Sequence, residues 1–143
     1  MTTGISSLDK SVQKSVKWIV EIQDELGWED REDVYIATKA VLQTVRDRLP
    51  FKEAVQFSAQ LPMLMKGMFF EGYSPSKEPL DINQPDEFYQ KVQERSINKP
   101  INAEQATKNV LAVIQRKISK GEIEDIVSNF PKTLRSIWIP PLK

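Results

Sequence analysis

The sequence predicts an all-α protein of about eight helices, arranged as two tandem four-helix units packed with pseudo-twofold symmetry. Three observations carry that reading. Apolar residues recur at three- and four-residue steps along most of the chain. No segment sustains the two-residue alternation of a half-buried strand, so no sheet is expected. Residues 37–70 align with residues 106–139 at a constant spacing of 69, without a gap.

The elements follow in order. Leu8, Val12, Val16, Ile19, Ile22 and Leu26 draw one apolar stripe on a first helix. Ser7 is placed to cap its start, and Gly27 to end it in the left-handed conformation that other residues avoid. A second helix follows the acidic stretch Glu29 to Asp33, burying Val34, Ala37, Val41, Val45 and Leu49. Pro50, which has no amide proton, stops it. A third runs from Phe51 to about Gln60, and Pro62 suits the first turn of a fourth.

Residues 72–84 change character. Gly72, Pro75 and Pro79 mark a linker, irregular and surface-lying, with Leu80 and Ile82 dipping against a helix. Helical spacing then returns over Pro85–Arg95, Ala103–Ile118, Lys120–Asn129 and Pro131–Trp138. Asn102 before Gln105, and Ser119 before Glu122, have the spacing of capping boxes.

The internal similarity is the strongest signal. Seven of the 34 aligned pairs are identical: Ala37/Ala106, Thr38/Thr107, Lys39/Lys108, Val41/Val110, Leu42/Leu111, Glu53/Glu122 and Pro62/Pro131. Average residue frequencies would give roughly two. With a one-residue shift upstream, Trp18/Phe88 and Ile22/Val92 also match. The simplest reading is a duplication, with repeats 8–71 and 85–140 in one domain spanning residues 1–143. Each repeat alone, at about 70 residues, is too small to stand securely, so the two are expected to pack together.

The run from Ala37 to Pro50, then Ser58-Ala-Gln-Leu-Pro and Lys66-Gly-Met-Phe-Phe-Glu-Gly-Tyr, resembles the bacterial domain-of-unknown-function family number 2267. Gly121-Glu, Phe130-Pro and Leu134-Arg-Ser-Ile-Trp are similar to that family's second half. The resemblance covers roughly residues 12–139. Lys66 departs from it where Arg is usual, and Tyr73 where Trp is usual. It implies a small helical bacterial protein and supplies no catalytic residues.

Composition removes several function classes. The chain has neither Cys nor His, so a thiolate nucleophile, a Cys/His zinc site and imidazole chemistry are excluded. Twenty Lys/Arg balance twenty Asp/Glu, which removes the bulk attraction that nucleic acid or an anionic membrane would need. The opening residues do not read as a signal peptide, and no apolar run reaches the roughly 20 residues of a membrane span. A cytoplasmic protein is expected, without cofactor or metal, and with no nucleic-acid or membrane partner.

Local clusters have bland explanations. Glu29, Asp30, Glu32 and Asp33 lack calcium-loop spacing and suit a helix N-terminus. Arg46, Arg48, Lys52, Arg116, Lys117 and Lys120 lie near helix ends, where cations complement the dipole, and no Gly-rich phosphate loop accompanies them. Met65, Met68 and Phe69 match Leu134, Ile137 and Trp138, which argues for core. No acid–base pair is identifiable, and an enzyme is not expected.

The disagreements between the repeats are more telling. Phe51, Val55, Met63 and Leu64 align with Lys120, Glu124, Lys132 and Thr133. Positions that accept charge in the twin can face water, so these four form a candidate partner-binding patch. The competing arrangement buries them under the linker, the first helix or the second repeat. The expected function is a non-enzymatic interaction module whose partner is another protein or a second copy. The alternative is a small-molecule-binding protein with an apolar pocket between the repeats.

Overall fold

The structure, a computed structural model, describes residues 2–75, 78–97 and 99–138. These residues form eight helices and no strand. The α-helices are α1 (Ser6–Leu26), α2 (Arg31–Arg48), α3 (Phe51–Ser58), α4 (Met63–Phe70), α5 (Pro85–Glu94), α6 (Ala103–Lys117) and α7 (Lys120–Ser128). A 3₁₀ helix, Lys132–Ile137, follows. Ser76 and Lys77 of the linker, and residues 139–140 of the second repeat, lie outside the described residues.

Most stops and starts obey the expected chemistry. Gly27 ends α1 at φ 73°, ψ 20°, donating its amide to the Gln23 carbonyl. Asp30, Asn102 and Ser119 each accept an amide hydrogen bond at the start of α2, α6 and α7. Four details differ. Ile5, not Ser7, occupies the N-cap of α1, and the Asp9 carboxylate ties back the preceding turn through the Thr3 amide at 2.7 Å. Pro62 is the N-cap of α4 rather than its first helical residue. A complete capping box closes between Gln84 and Glu87, a pair that lacks the usual Ser or Thr. The last helix winds as 3₁₀, with Leu134 donating to the Pro131 carbonyl.

The two halves match in backbone as well as in sequence. Leu49 and Ile118 leave α2 and α6 at φ −104°, ψ 148° and φ −114°, ψ 147°. Pro50 and Ser119 precede α3 and α7 at φ −60°, ψ 154° and φ −61°, ψ 150°. Pro62 and Pro131 repeat the correspondence at φ −59°, ψ 155° and φ −58°, ψ 148°. Buried positions agree too. Ala37, Thr38, Val41, Leu42, Thr44 and Val45 match the buried set Ala106, Thr107, Val110, Leu111, Val113 and Ile114.

Helices α2 and α6 pack on each other at the centre, with α1 against α6 and α5 against α2. Within each half, α1 and α4 flank α2, and α5 and the 3₁₀ helix flank α6. Helix α3 meets α7. Exchanging the halves leaves this set of pairings unchanged, as a pseudo-twofold arrangement requires. One continuous core results, from Trp18 and Ile22 through Phe57 and Phe69 to Phe88, Phe130 and Trp138.

The linker is docked as expected. The Leu80 amide donates to the Asp47 carbonyl at 2.7 Å, Ile82 is buried, and Arg48 donates to the Ile82 carbonyl at 2.7 Å. The stripe of α1 needs correction. Burial begins only at Ser15: Leu8 lies in the uncovered turns before it, and Val16, about 100° round the helix from Ser15, stands at the edge of the covered face.

Candidate functional site

The side chains that looked most chemical in the sequence are occupied in holding the fold. Arg46 is buried and donates to both carboxylate oxygens of Asp47 at 2.8 Å and to the carbonyls of Phe69 and Glu71 at 2.8 and 2.9 Å. Its guanidinium lies over the Tyr73 ring, 5.1 Å from the centroid. Arg95, the C-cap of α5, adds a third bond to Asp47 at 2.6 Å. Burial pushes the Asp47 carboxyl up, but the hydrogen bonds and charges of Arg46 and Arg95 outweigh it and hold the group below its usual range. The cations at the end of α6 reach across to α1: Lys117 to Glu21 at 2.5 Å and Arg116 to Glu25 at 2.9 Å. Asn109 and Gln105 donate to the carbonyls of Glu25 and Leu26, which α1 itself leaves unpaired.

The acidic stretch divides similarly. Asp30 caps α2, and Asp33 pairs with Lys99 at 3.0 Å. Among the described residues no three His, Cys, Asp or Glu side chains converge on a metal position. No helix of the described residues is long and apolar enough to cross a membrane.

All four residues of the sequence-derived patch are exposed: Phe51 by 53%, Val55 by 42%, Met63 by 61% and Leu64 by 47%. They do not share one environment. The Phe51 ring stacks on Tyr73, with centroids 6.3 Å apart and planes 7° from parallel. Leu64 instead walls an open groove of about 900 Å³.

That groove is bounded by α1, the first turns of α2, and α4, all in the first half of the chain. Val16 and Ile19, Tyr35, and Leu64, Met68 and Phe70 supply its apolar walls. Arg31, Glu32 and Glu71 supply its charges, and Glu71 is held by Lys39. Two features of the lining have no internal explanation. Gly67 sits inside α4, where a glycine costs about 1 kcal/mol relative to alanine. A Cβ built there would meet nothing within 4 Å, so packing within the chain does not demand it. Ser15 is buried, and its hydroxyl has no hydrogen-bond partner.

Val16 and Tyr35, exposed by 43% and 37%, escaped the sequence reading. The signal was present. At the spacings of 70 and 69 that relate the halves, Val16 faces Asp86 and Tyr35 faces Glu104, as Leu64 faces Thr133. Three of the six apolar walls are thus matched by polar residues in the second half, while Ile19, Met68 and Phe70 match Tyr89, Ile137 and Ile139. Two pockets with walls from both halves are about 200 Å³ each, whereas the groove of about 900 Å³ lies beside the junction of the halves.

A family model described as an uncharacterized conserved protein (DUF2267) matches residues 16–137. No curated protein matches the chain.

Proposed function

Because the chain belongs to the DUF2267 family, whose description assigns no activity, we propose its function from the groove: a non-enzymatic interaction module that receives a partner between α1, α2 and α4. One observation carries this reading. Three bulky apolar side chains, Val16, Tyr35 and Leu64, stay in water around one groove, although the matching positions of a similarly folded half carry Asp86, Glu104 and Thr133. Folding does not require them to be apolar, and contiguous exposed apolar surface is the usual mark of an interaction site. An apolar floor with a charged rim is the anatomy of a protein interface, and a groove between helices suits an amphipathic helix.

The test is a comparison. The wild-type chain and a Tyr35→Glu/Leu64→Thr variant serve as baits in the native host's extract, read by mass spectrometry. Proteins retained by the first and lost by the second support the reading. Identical captures from both would sink it.

Small-molecule binding is a second reading, favoured by the groove's volume, which falls within the roughly 300–1,000 Å³ of ligand pockets. A ligand that protects the protein against thermal unfolding, and fails to protect the Leu64→Thr variant, would favour it.

A further inference from the structure

We infer that Met63 is a site of reversible oxidation: hydrogen peroxide converts its thioether to the sulfoxide in the folded protein, and a thiol reductase reverses the change.

Sulfur chemistry in this chain belongs to methionine, because there is no Cys. Of the four methionines, Met1 lies outside the described residues. Met65 is fully buried and Met68 nearly so, whereas Met63, the first residue of α4, is exposed by 61%. A thioether must meet the oxidant directly, so susceptibility follows exposure. Among the described residues, Met63 is therefore the methionine that peroxide reaches without any opening of the fold.

The Met63 sulfur attacks one oxygen of the peroxide. An S–O bond forms as the O–O bond breaks, and the sulfur gives up an electron pair. The second oxygen leaves as water, taking the proton of the first. Reduction by a dithiol runs the other way: the oxygen departs as water with the two thiol protons, and the thiols close to a disulfide.

Methionine oxidation disrupts a core because it sets a polar group among apolar ones. At Met63 the polar group enters water. The matching residue of the second half is Lys132, and Pro62 and Pro131 introduce the two positions at φ −59°, ψ 155° and φ −58°, ψ 148°. The same backbone setting thus already carries a charged side chain. The sulfoxide oxygen also brings partial negative charge to the start of α4, where Pro62 makes no side-chain cap and the helix dipole is positive.

What oxidation changes is the surface. Phe51, Val55, Met63 and Leu64 are apolar where the second half has Lys120, Glu124, Lys132 and Thr133. A sulfoxide at Met63 makes one of those four positions polar while the chain keeps its fold. Met63 is not among the groove's walls, so the site does not depend on what the groove receives.

Graded hydrogen peroxide applied to the folded full chain, followed by peptide mapping by mass spectrometry, tests the site. Met63 should become the sulfoxide at least about tenfold faster than Met65 and Met68. Helical circular dichroism and melting temperature should be unchanged once Met63 alone is oxidised. Methionine sulfoxide reductases of both stereospecificities, added together without denaturant, should restore the thioether, since each acts on one sulfoxide epimer. Met63→Gln, which carries a polar oxygen at similar reach, should melt with the wild type.

Met65 or Met68 oxidising as fast as Met63 would overturn the inference. So would a loss of helix or a lower melting temperature on oxidation of Met63 or in Met63→Gln. A Met63 sulfoxide that the reductases repair only after denaturation would equally count against it.

Discussion

Arg95, the C-cap of α5, donates to Asp47 in α2 at 2.6 Å, an ion pair that joins the second half of the chain to the first. Asp47 also holds Arg46, whose remaining bonds fix the end of α4. One carboxylate therefore ties two helices and a helix terminus together.

That role makes stability sensitive to acid in a defined direction. The unfolded carboxyl titrates near about 3.9, and the folded one lies lower, so its contribution is complete above that value. It is lost as pH falls through the folded value. Asp47→Asn should therefore be destabilising at neutral pH, by about 3 kcal/mol, because Arg46 is left buried without its partner. Urea unfolding at stepped pH should show the gap between wild type and variant closing below about pH 4.

Arg46 should be harder to replace than its surface neighbours. Arg46→Met removes the donors to the Phe69 and Glu71 carbonyls and leaves Asp47 with Arg95 alone. A loss of about 3–5 kcal/mol is expected. Arg46→Lys should recover little of it, because an ammonium lacks the planar fork that engages both carboxylate oxygens. The shift in denaturation midpoint measures both.

Gly67→Ala should separate stability from binding. The added methyl meets nothing within 4 Å in the chain, and helix α4 should gain about 0.5–1 kcal/mol, read as a higher melting temperature. The same methyl projects where an occupant of the groove must lie, so association should weaken. A variant that is more stable and binds as well as wild type would show that the glycine has no part in recognition.

The groove's walls should be cheap to change. Tyr35→Glu and Leu64→Thr each place a polar side chain where the second half already has one, and each should alter unfolding free energy by about 0.5 kcal/mol or less. A loss several times larger would mean that these side chains support the first half's own packing.

What the sequence made legible follows from where the information was doubled. The central helices stood out because Ala37, Thr38, Val41 and Leu42 recur unchanged at Ala106, Thr107, Val110 and Leu111, and the structure buries all eight. Helix ends with a conventional signal, such as Gly27, Asn102 and Ser119, were placed well. The start of α1 was not, because its N-cap is Ile5 and the Asp9–Thr3 bond stands in for a cap. The groove was half visible. Leu64 emerged from the comparison of the halves, whereas Val16 was absorbed into a periodic stripe. Periodicity reports one face of a helix but not how far along it the neighbours reach.

The matched backbones have a consequence for how such a surface can arise. In a dimer of identical chains every substitution is made twice, so a change that improves one site also burdens its mate. Linking the two halves in one chain removes that constraint: Val16, Tyr35 and Leu64 can vary while Asp86, Glu104 and Thr133 stay as they are. One half then keeps a water-compatible exterior, and the other is at liberty to specialise.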